Sequence, residues 1–330
     1  MNALTVEVSV LGGGVIGLSV AWFAARDGFS VNVHDLGSPH GGSVVAGGML
    51  APVSEAWPGE ETVTAQGVAA LARWPGFAAE LNVELFNNGT IVVGTLPGDL
   101  AELRRIEGLF NNGEVELLNN RAIRQVEPAL GPAVRGGVFA PGDLAVDNRE
   151  LLSALRKACV ETGVTFNSNV DGRFTVIAAG AWSGALHPAL KDVIRPVKGE
   201  ILRLTRRSGA LPPPTHTIRA SVSGRPVYIV PRNDGVVVGA TQYEAGFDTD
   251  VTVAGVRDLL RDAETVLPGI AEYALAECAV GFRAGSPDNV PIVDWLEPGV
   301  IAACGHHRNG LLLAPLTAAR VLELLKGGTP

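Results

Sequence analysis

Gly12, Gly14 and Gly17 stand at the spacing G-x-G-x-x-G within "TVEVSVLGGGVIGLSVAWFAARDGFSVNVHD". Glycines so spaced act through the backbone: the first permits a tight turn, the second lets a pyrophosphate approach, and the third lets a helix pack closely on a strand. A β-branched alternating run precedes the turn and an Ala-rich helical run follows it. A second alternating run, "FSVNVHD", ends at Asp35. That carboxylate falls where one accepts hydrogen bonds from a ribose diol, and its charge argues against a 2′-phosphate. The stretch predicts a βαβ unit holding a dinucleotide at a helix N-terminus. FAD and NAD both fit it.

Two small-residue stretches follow. "GGSVVAGGMLAP", from Gly41 to Pro52, lacks bulk where a nicotinamide enzyme would proceed to its next crossover helix, and small residues let backbone approach a flat ligand. "RFTVIAAGAWSG", from Arg173 to Gly184, reads as another strand ending in small residues. On composition alone, the first is equally an ordinary loop and the second a buried strand with its turn. Near the C-terminus, "IAACGHHRNGLLLAPLTAARVLELL" halts an apolar strand at Gly305, passes through His306, His307 and Arg308, and resumes as an apolar helix. Pro315 is tolerable in the first turns of that helix, and the N–H groups of Asn309, Gly310 and Leu311 are expected to lack intrahelical partners. Free donors and the positive end of a helix dipole suit negative charge. Taken alone, the arginine and histidines read as a solvated connection.

The chain that carries these residues has 330 residues, 47% hydrophobic and 18% charged. Its length suggests two domains or one large one, and its balance excludes a disordered chain. Apolar runs are broken before membrane-spanning length, and Glu7 with no basic lead-in argues against a signal peptide, so a soluble, cytoplasmic protein is expected, with no membrane partner. The net charge of −8 offers no basic field for nucleic acid. Cys159, Cys278 and Cys304 fit neither a disulfide framework nor metal-ligand spacing, and no metal is expected. "PVYIVPRNDGVVVGATQY" reads as a hairpin about Asn-Asp-Gly, and "VAGVRDLLRDAETVL" as a helix.

In order along the chain, "VLGGGVIGLSVAW", "GGMLAP", "DLAVDNRELLSAL", "RPVKGE", "VYIVPR", "VVVGAT" and "GHHRNGLLLAP" resemble the FAD-dependent glycine oxidases of the D-amino-acid oxidase superfamily. The last motif and the Met49 segment are the most specific. The resemblance implies an α/β (α+β mixed) two-domain D-amino-acid-oxidase-like fold. Residues 1–80, 140–190 and 285–330 would form a discontinuous Rossmann-type FAD-binding domain, and 81–139 and 191–284 an antiparallel-sheet substrate domain. It also implies noncovalent FAD, held at Gly12, Gly14, Val15, Ile16 and Gly17 and at Asp35 and Leu36. Further contacts would come from Ser43, Ala46, Gly47, Gly48 and Met49, and from Val170, Gly180 and Trp182. Arg308, Asn309, Gly310 and Leu311 would face the pyrimidine edge of the flavin, where negative charge collects on reduction.

For catalysis, the resemblance assigns Arg283 to the substrate carboxylate, which a planar guanidinium grips with two parallel hydrogen bonds. Tyr228 would offer its phenol to the same group, and Arg308 would stand beside flavin and substrate. No general base is assigned, and His306 and His307 are read as turn residues. The implied reaction takes glycine to its imine and glyoxylate, with hydride transfer to FAD, reoxidation by molecular oxygen to hydrogen peroxide, and a role in making the thiazole of thiamine. Sarcosine or small D-amino acids, a quinone-linked dehydrogenase, and a nucleotide-binding protein without turnover are the rivals; a homo-oligomer is left open. Gln242 departs from an apolar family position, and the segment 165–176 is short.

Overall fold

The computed structural model describes residues 6–110, 114–168 and 170–328. Its first sheet is begun by the strand Val8–Leu11. Val8 and Val10 are fully buried on one face of the sheet, in a core they share with Val15, Leu18 and Leu313, and alternation turns Ser9 to the other face. The six strands run in the order 292–297, 300–304, 174–177, 8–11, 31–34 and 165–166. Only the first two of these pair antiparallel; each of the other neighbours is parallel.

Between the strands Val8–Leu11 and Val31–His34 lies the helix Val15–Arg26, which completes the expected βαβ unit. A Cβ on Gly17 would collide with the carbonyl of Gly12, so glycine alone lets this helix start so close to the strand. Asn148–Glu161 forms a helix packed on Val15–Arg26 and is capped by Asp147, whose carboxylate accepts from the N–H groups of Arg149 and Glu150 at 2.8 and 3.1 Å. Such a cap is worth about 1 kcal/mol. The C-terminal helix Gly310–Gly327 carries Pro315 in its second turn. The indole of fully buried Trp74 donates to the Leu312 carbonyl at 2.9 Å and seats that end of the helix.

Eight strands make the second sheet, in the order 274–285, 195–205, 235–239, 225–232, 217–222, 90–94, 136–140 and 116–119. One pair, 217–222 with 90–94, is parallel; the others are antiparallel. The expected hairpin is present, with Arg232 opposite Gly235 and Asn233–Asp234 as its turn. One face of this sheet is covered by the helix Val253–Val266, which buries Leu259, Ala263 and Val266 at i, i+4 and i+7. Thr252 caps it, its hydroxyl accepting from the Gly255 N–H at 3.0 Å. A three-stranded sheet of residues 49–50, 144–146 and 85–86 completes the architecture. Among the described residues no helix is long and apolar enough to cross a membrane.

Candidate active site

A cavity of about 1450 Å³ runs from the Gly12–Ile16 turn, past Asp35, Ser43–Met49 and Ala178–Trp182, to Tyr228, Arg283 and Arg308. Single-ligand pockets span roughly 300 to 1,000 Å³, so this one has room for a large ligand and a small one together. At its first end, Gly12 has φ +117°, and a Cβ there would overlap the Ala178 carbonyl. A Cβ on Gly13 would overlap the Asp35 carboxylate. The hydroxyl of Ser43 accepts from the Val15 N–H at 3.1 Å, which places it at the helix N-terminus beside Gly14. Asp35 accepts from the Gly37 N–H at 2.9 Å and from Arg156 at 3.0 Å.

At the other end, Arg283 lies on the strand Ala274–Gly285, with its guanidinium over Gly199 of the neighbouring strand. A Cβ on Gly199 would stand 2.5 Å from Arg283 Nη1, so the glycine makes room for the arginine. Arg283 donates to the Thr241 carbonyl at 3.3 Å. Tyr228 packs against Gly47, where an added Cβ would meet its ring at 2.7 Å. Burial raises the pKa of the phenol, against the lowering pull of Arg283; burial lowers that of Arg283, which still stays protonated.

Arg308 forms an ion pair with Glu60 and donates to the Glu55 carbonyl at 3.4 Å. Burial works to lower its pKa, but the hydrogen bond to Glu60 and the charges of Glu55 and Glu60 leave it raised. Burial opposes ionisation of Glu60, yet its bonds to Arg308 and Asn289 hold it below the usual carboxylate range. Arg219 donates to the Ser54 carbonyl and lies 3.4 Å from Glu55 Oε1. Three cations thus meet two carboxylates. Among the described residues Arg219 and Arg308 have carboxylate partners, whereas Arg283 has a backbone carbonyl and no acid. Arg283 is thus the cation of this group left without an ion-pair partner, which suits it to binding one carboxylate.

The family described as FAD dependent oxidoreductase matches residues 7–324. This chain belongs to that family. A glycine oxidase of Pseudomonas putida is 29% identical over 98% of this chain and 95% of its own length. A bifunctional ThiO/ThiG protein of Trichormus variabilis is likewise 29% identical over 98% of this chain, which spans 53%, about half, of that relative. A crystal structure of glycine oxidase from Geobacillus kaustophilus superposes with a TM-score of 0.87 at 28% identity, covering 98% of this chain and 95% of the other.

The cofactor of this oxidoreductase is FAD, and the cradle of glycines that tolerate no Cβ fits its pyrophosphate. Gly12, Gly14, Val15, Ile16, Asp35 and Ser43 line one continuous wall of the cavity with Ala46, Gly47, Gly48 and Met49. Gly17 stands behind this wall as the packing glycine. Leu36 and Val170 also line the cavity, though they are 89% and 47% exposed, so they sit at its rim. Gly180, at φ +57°, and Trp182 also line the cavity; Trp182 stacks on Phe247 at 5.3 Å between ring centroids. Two residues within recognised motifs emerge only from the structure. Asn148 donates to the carbonyls of Ser43 and Val44 at 2.7 and 2.9 Å, and buried Arg232 donates to that of Gly47 at 2.7 Å.

Arg308, Gly310 and Leu311 line the cavity. Asn309 differs from the expectation of a free N–H. A short 3-10 turn, His307–Asn309, precedes the helix, and the Asn309 N–H is given to the His306 carbonyl at 2.9 Å. His306 and His307 are not a solvated connection either. His306 is buried with Nε2 2.9 Å from the Thr317 hydroxyl, and burial pushes its pKa down to about 3. His307 is pushed down to about 4 by burial and by the charges of Arg283 and Arg308. Glu55, Glu60 and Arg219 went unnoticed in the sequence because each is an ordinary charged residue until the fold pairs it with a distant partner.

Proposed function

We propose that this FAD-dependent oxidoreductase oxidises glycine, or an amino acid of similar size, to the imine and then glyoxylate, in the service of thiazole synthesis for thiamine. The observation that carries this reading is Arg283, set part-buried in the cavity beside the Tyr228 phenol and, among the described residues, without an ion-pair partner. Bound FAD would supply the hydride acceptor, with molecular oxygen as the final oxidant and hydrogen peroxide as product. In this reading Arg283 and Tyr228 bind the substrate carboxylate, and Arg308, held by Glu60, limits the space beside it. The N–H groups at the start of the helix Gly310–Gly327 support negative charge at the flavin edge. His306 and His307 are both neutral near pH 7, and His306 is engaged with Thr317, so they serve as uncharged walls.

The proposed division assigns 1–80, 140–190 and 285–330 to the FAD domain and 81–139 and 191–284 to the substrate domain. The six-stranded sheet draws its strands from residues 8–34, 165–177 and 292–304, and the eight-stranded sheet from 90–140 and 195–285, which supports it. A cytoplasmic location accords with this role. The deciding experiment adds glycine anaerobically to the FAD-loaded protein. Loss of the oxidised flavin's visible absorption is expected; an unchanged spectrum refutes the assignment of substrate. Oxygen consumption measured against dye reduction then separates an oxidase from a quinone-linked dehydrogenase.

A further inference from the structure

We propose that Asp143 is a positioning residue for the substrate end of the cavity: it fixes the turn Val53–Glu55 and, through that turn, the arginines Arg219 and Arg308. The inference rests on reading this end as a carboxylate site. Asp143 is fully buried in the connection between the strands Gly136–Ala140 and Leu144–Val146. Its Oδ1 accepts from the Val53 N–H at 3.3 Å and its Oδ2 from the Ser54 N–H at 3.1 Å. The same turn then spends its own acceptors on charge. The Ser54 carbonyl accepts from Arg219, the Glu55 carbonyl accepts from Arg308 at 3.4 Å, and Glu55 Oε1 lies 3.4 Å from Arg219 Nη2. Two hydrogen bonds at one end of the turn therefore set three contacts to arginine at the other.

A contribution to fold stability does not account for a carboxylate here. Burial pushes the Asp143 pKa up to about 6, against the lowering effect of Ser54, the Val53 and Ser54 amides and the charge of Arg219. The cation that faces it is Arg219, on the strand Thr217–Val222, and Glu55 lies beyond that cation on the turn itself. A carboxyl group with a raised folded-state pKa holds its proton more tightly folded than unfolded. Its contribution to stability falls as pH rises from about 4 to about 6 and is not recovered above that. At neutral pH the ionised group thus opposes folding while organising two backbone amides. Such a trade is expected of groups kept for function.

Asp143→Asn preserves volume but sets an NH2 against one of the two amides, so one acceptor is lost. Two measurements test the inference on FAD-loaded protein near neutral pH. In hydrogen exchange, the peptide covering 51–57 of the variant should exchange about tenfold faster or more, the effect of losing one charge-assisted hydrogen bond, while 8–26 stays unchanged. In steady-state oxidation the KM for glycine should rise about tenfold with kcat nearly constant. The wild-type KM should also rise as pH falls through about 6, and the variant should lack that inflection. Unaltered exchange over 51–57, or an unaltered KM in a preparation whose wild type does oxidise glycine, overturns the role of Asp143. A wild type that glycine does not reduce overturns the substrate assignment instead, and exchange still decides whether Asp143 holds the turn. Should the variant not fold, wild-type protection over 51–57, corrected for intrinsic rates, should fall selectively below about pH 6, because opening the turn removes the amide bonds that lower the Asp143 pKa while the carboxyl stays buried; constant protection refutes the proposal.

Discussion

Replacing Arg283 by alanine removes the one member of the arginine cluster without an acidic partner among the described residues. What remains is Arg219 and Arg308, ion-paired with Glu55 and Glu60, so no arginine of the group is left free to pair with an incoming carboxylate. A substrate carboxylate entering it exchanges hydration for Tyr228 alone. Breaking a buried, hydrogen-bonded charge pair costs about 2 to 5 kcal/mol. At about 1.4 kcal/mol per factor of ten, apparent affinity for glycine should fall by about 30-fold to several thousand-fold. Folding should be spared: burial lowers the Arg283 pKa, so the folded state disfavours its charge, and alanine removes that penalty along with one weak bond to Thr241. The assay is steady-state KM with flavin reduction under anaerobic single-turnover conditions, alongside thermal unfolding. Arg283→Lys should fall between wild type and alanine, since an ammonium keeps the charge but not the planar pair of donors. A KM within about threefold of wild type in Arg283→Ala, with intact folding, would refute the reasoning.

Gly12→Ala places a Cβ on the Ala178 carbonyl at a backbone φ of +117°, so the variant should lose bound flavin and unfold at lower temperature; the flavin-to-protein absorbance ratio and melting scans check this. Glu60→Gln leaves Arg308 without its ion-pair partner and makes the site more positive by one charge, so a small competitive carboxylate should bind several-fold more tightly; weaker binding, measured by flavin difference spectra, would mean Glu60 acts mainly by aiming Arg308. His306 has a depressed folded-state pKa of about 3, so its contribution to stability is complete above pH 6.5 and is lost as pH falls towards 3. By pH 4 the loss attributable to this group is of order 3 kcal/mol, and His306→Gln should flatten the denaturant midpoint's fall between pH 6.5 and 4.

The sequence made the dinucleotide end legible because its requirements are local. A glycine at positive φ, a helix start and a carboxylate at the end of the second strand all fall within the first 35 residues, and each announces itself by residue type. The substrate end was legible only through the resemblance. Arg283 reaches the cavity because strand pairing sets it over Gly199, and Arg308 meets Glu60 across 248 residues of chain. No period or spacing encodes such a meeting. Asp143 and Arg219 were overlooked for the same reason: a buried acid and an exposed one have identical letters. The expectation for Asn309 failed on a local competition instead, since a 3-10 turn claims an N–H that an α-helix beginning there would leave free.

One recognised stretch, "RPVKGE", shows how strand alternation divides labour across the second sheet. On the strand Arg195–Thr205, Val197 pairs with Arg283, and Gly199 leaves space for the arginine's guanidinium on the cavity face. Lys198 and Glu200 alternate to the opposite face. There buried Lys198 donates to Asp248 and to the Asp250 carbonyl, and Glu200 accepts from the Thr252 N–H at 2.6 Å. These bonds pin the far end of the segment 241–252. Its near end is tied by Thr241, whose hydroxyl accepts from the Glu200 N–H at 2.8 Å and whose carbonyl accepts from Arg283. Gln242 follows directly and lines the cavity. Its backbone is therefore set by the same strand that seats Arg283, the residue proposed to bind the substrate carboxylate, so a change at Gln242 should alter which substituents fit beside the substrate without disturbing that proposed contact.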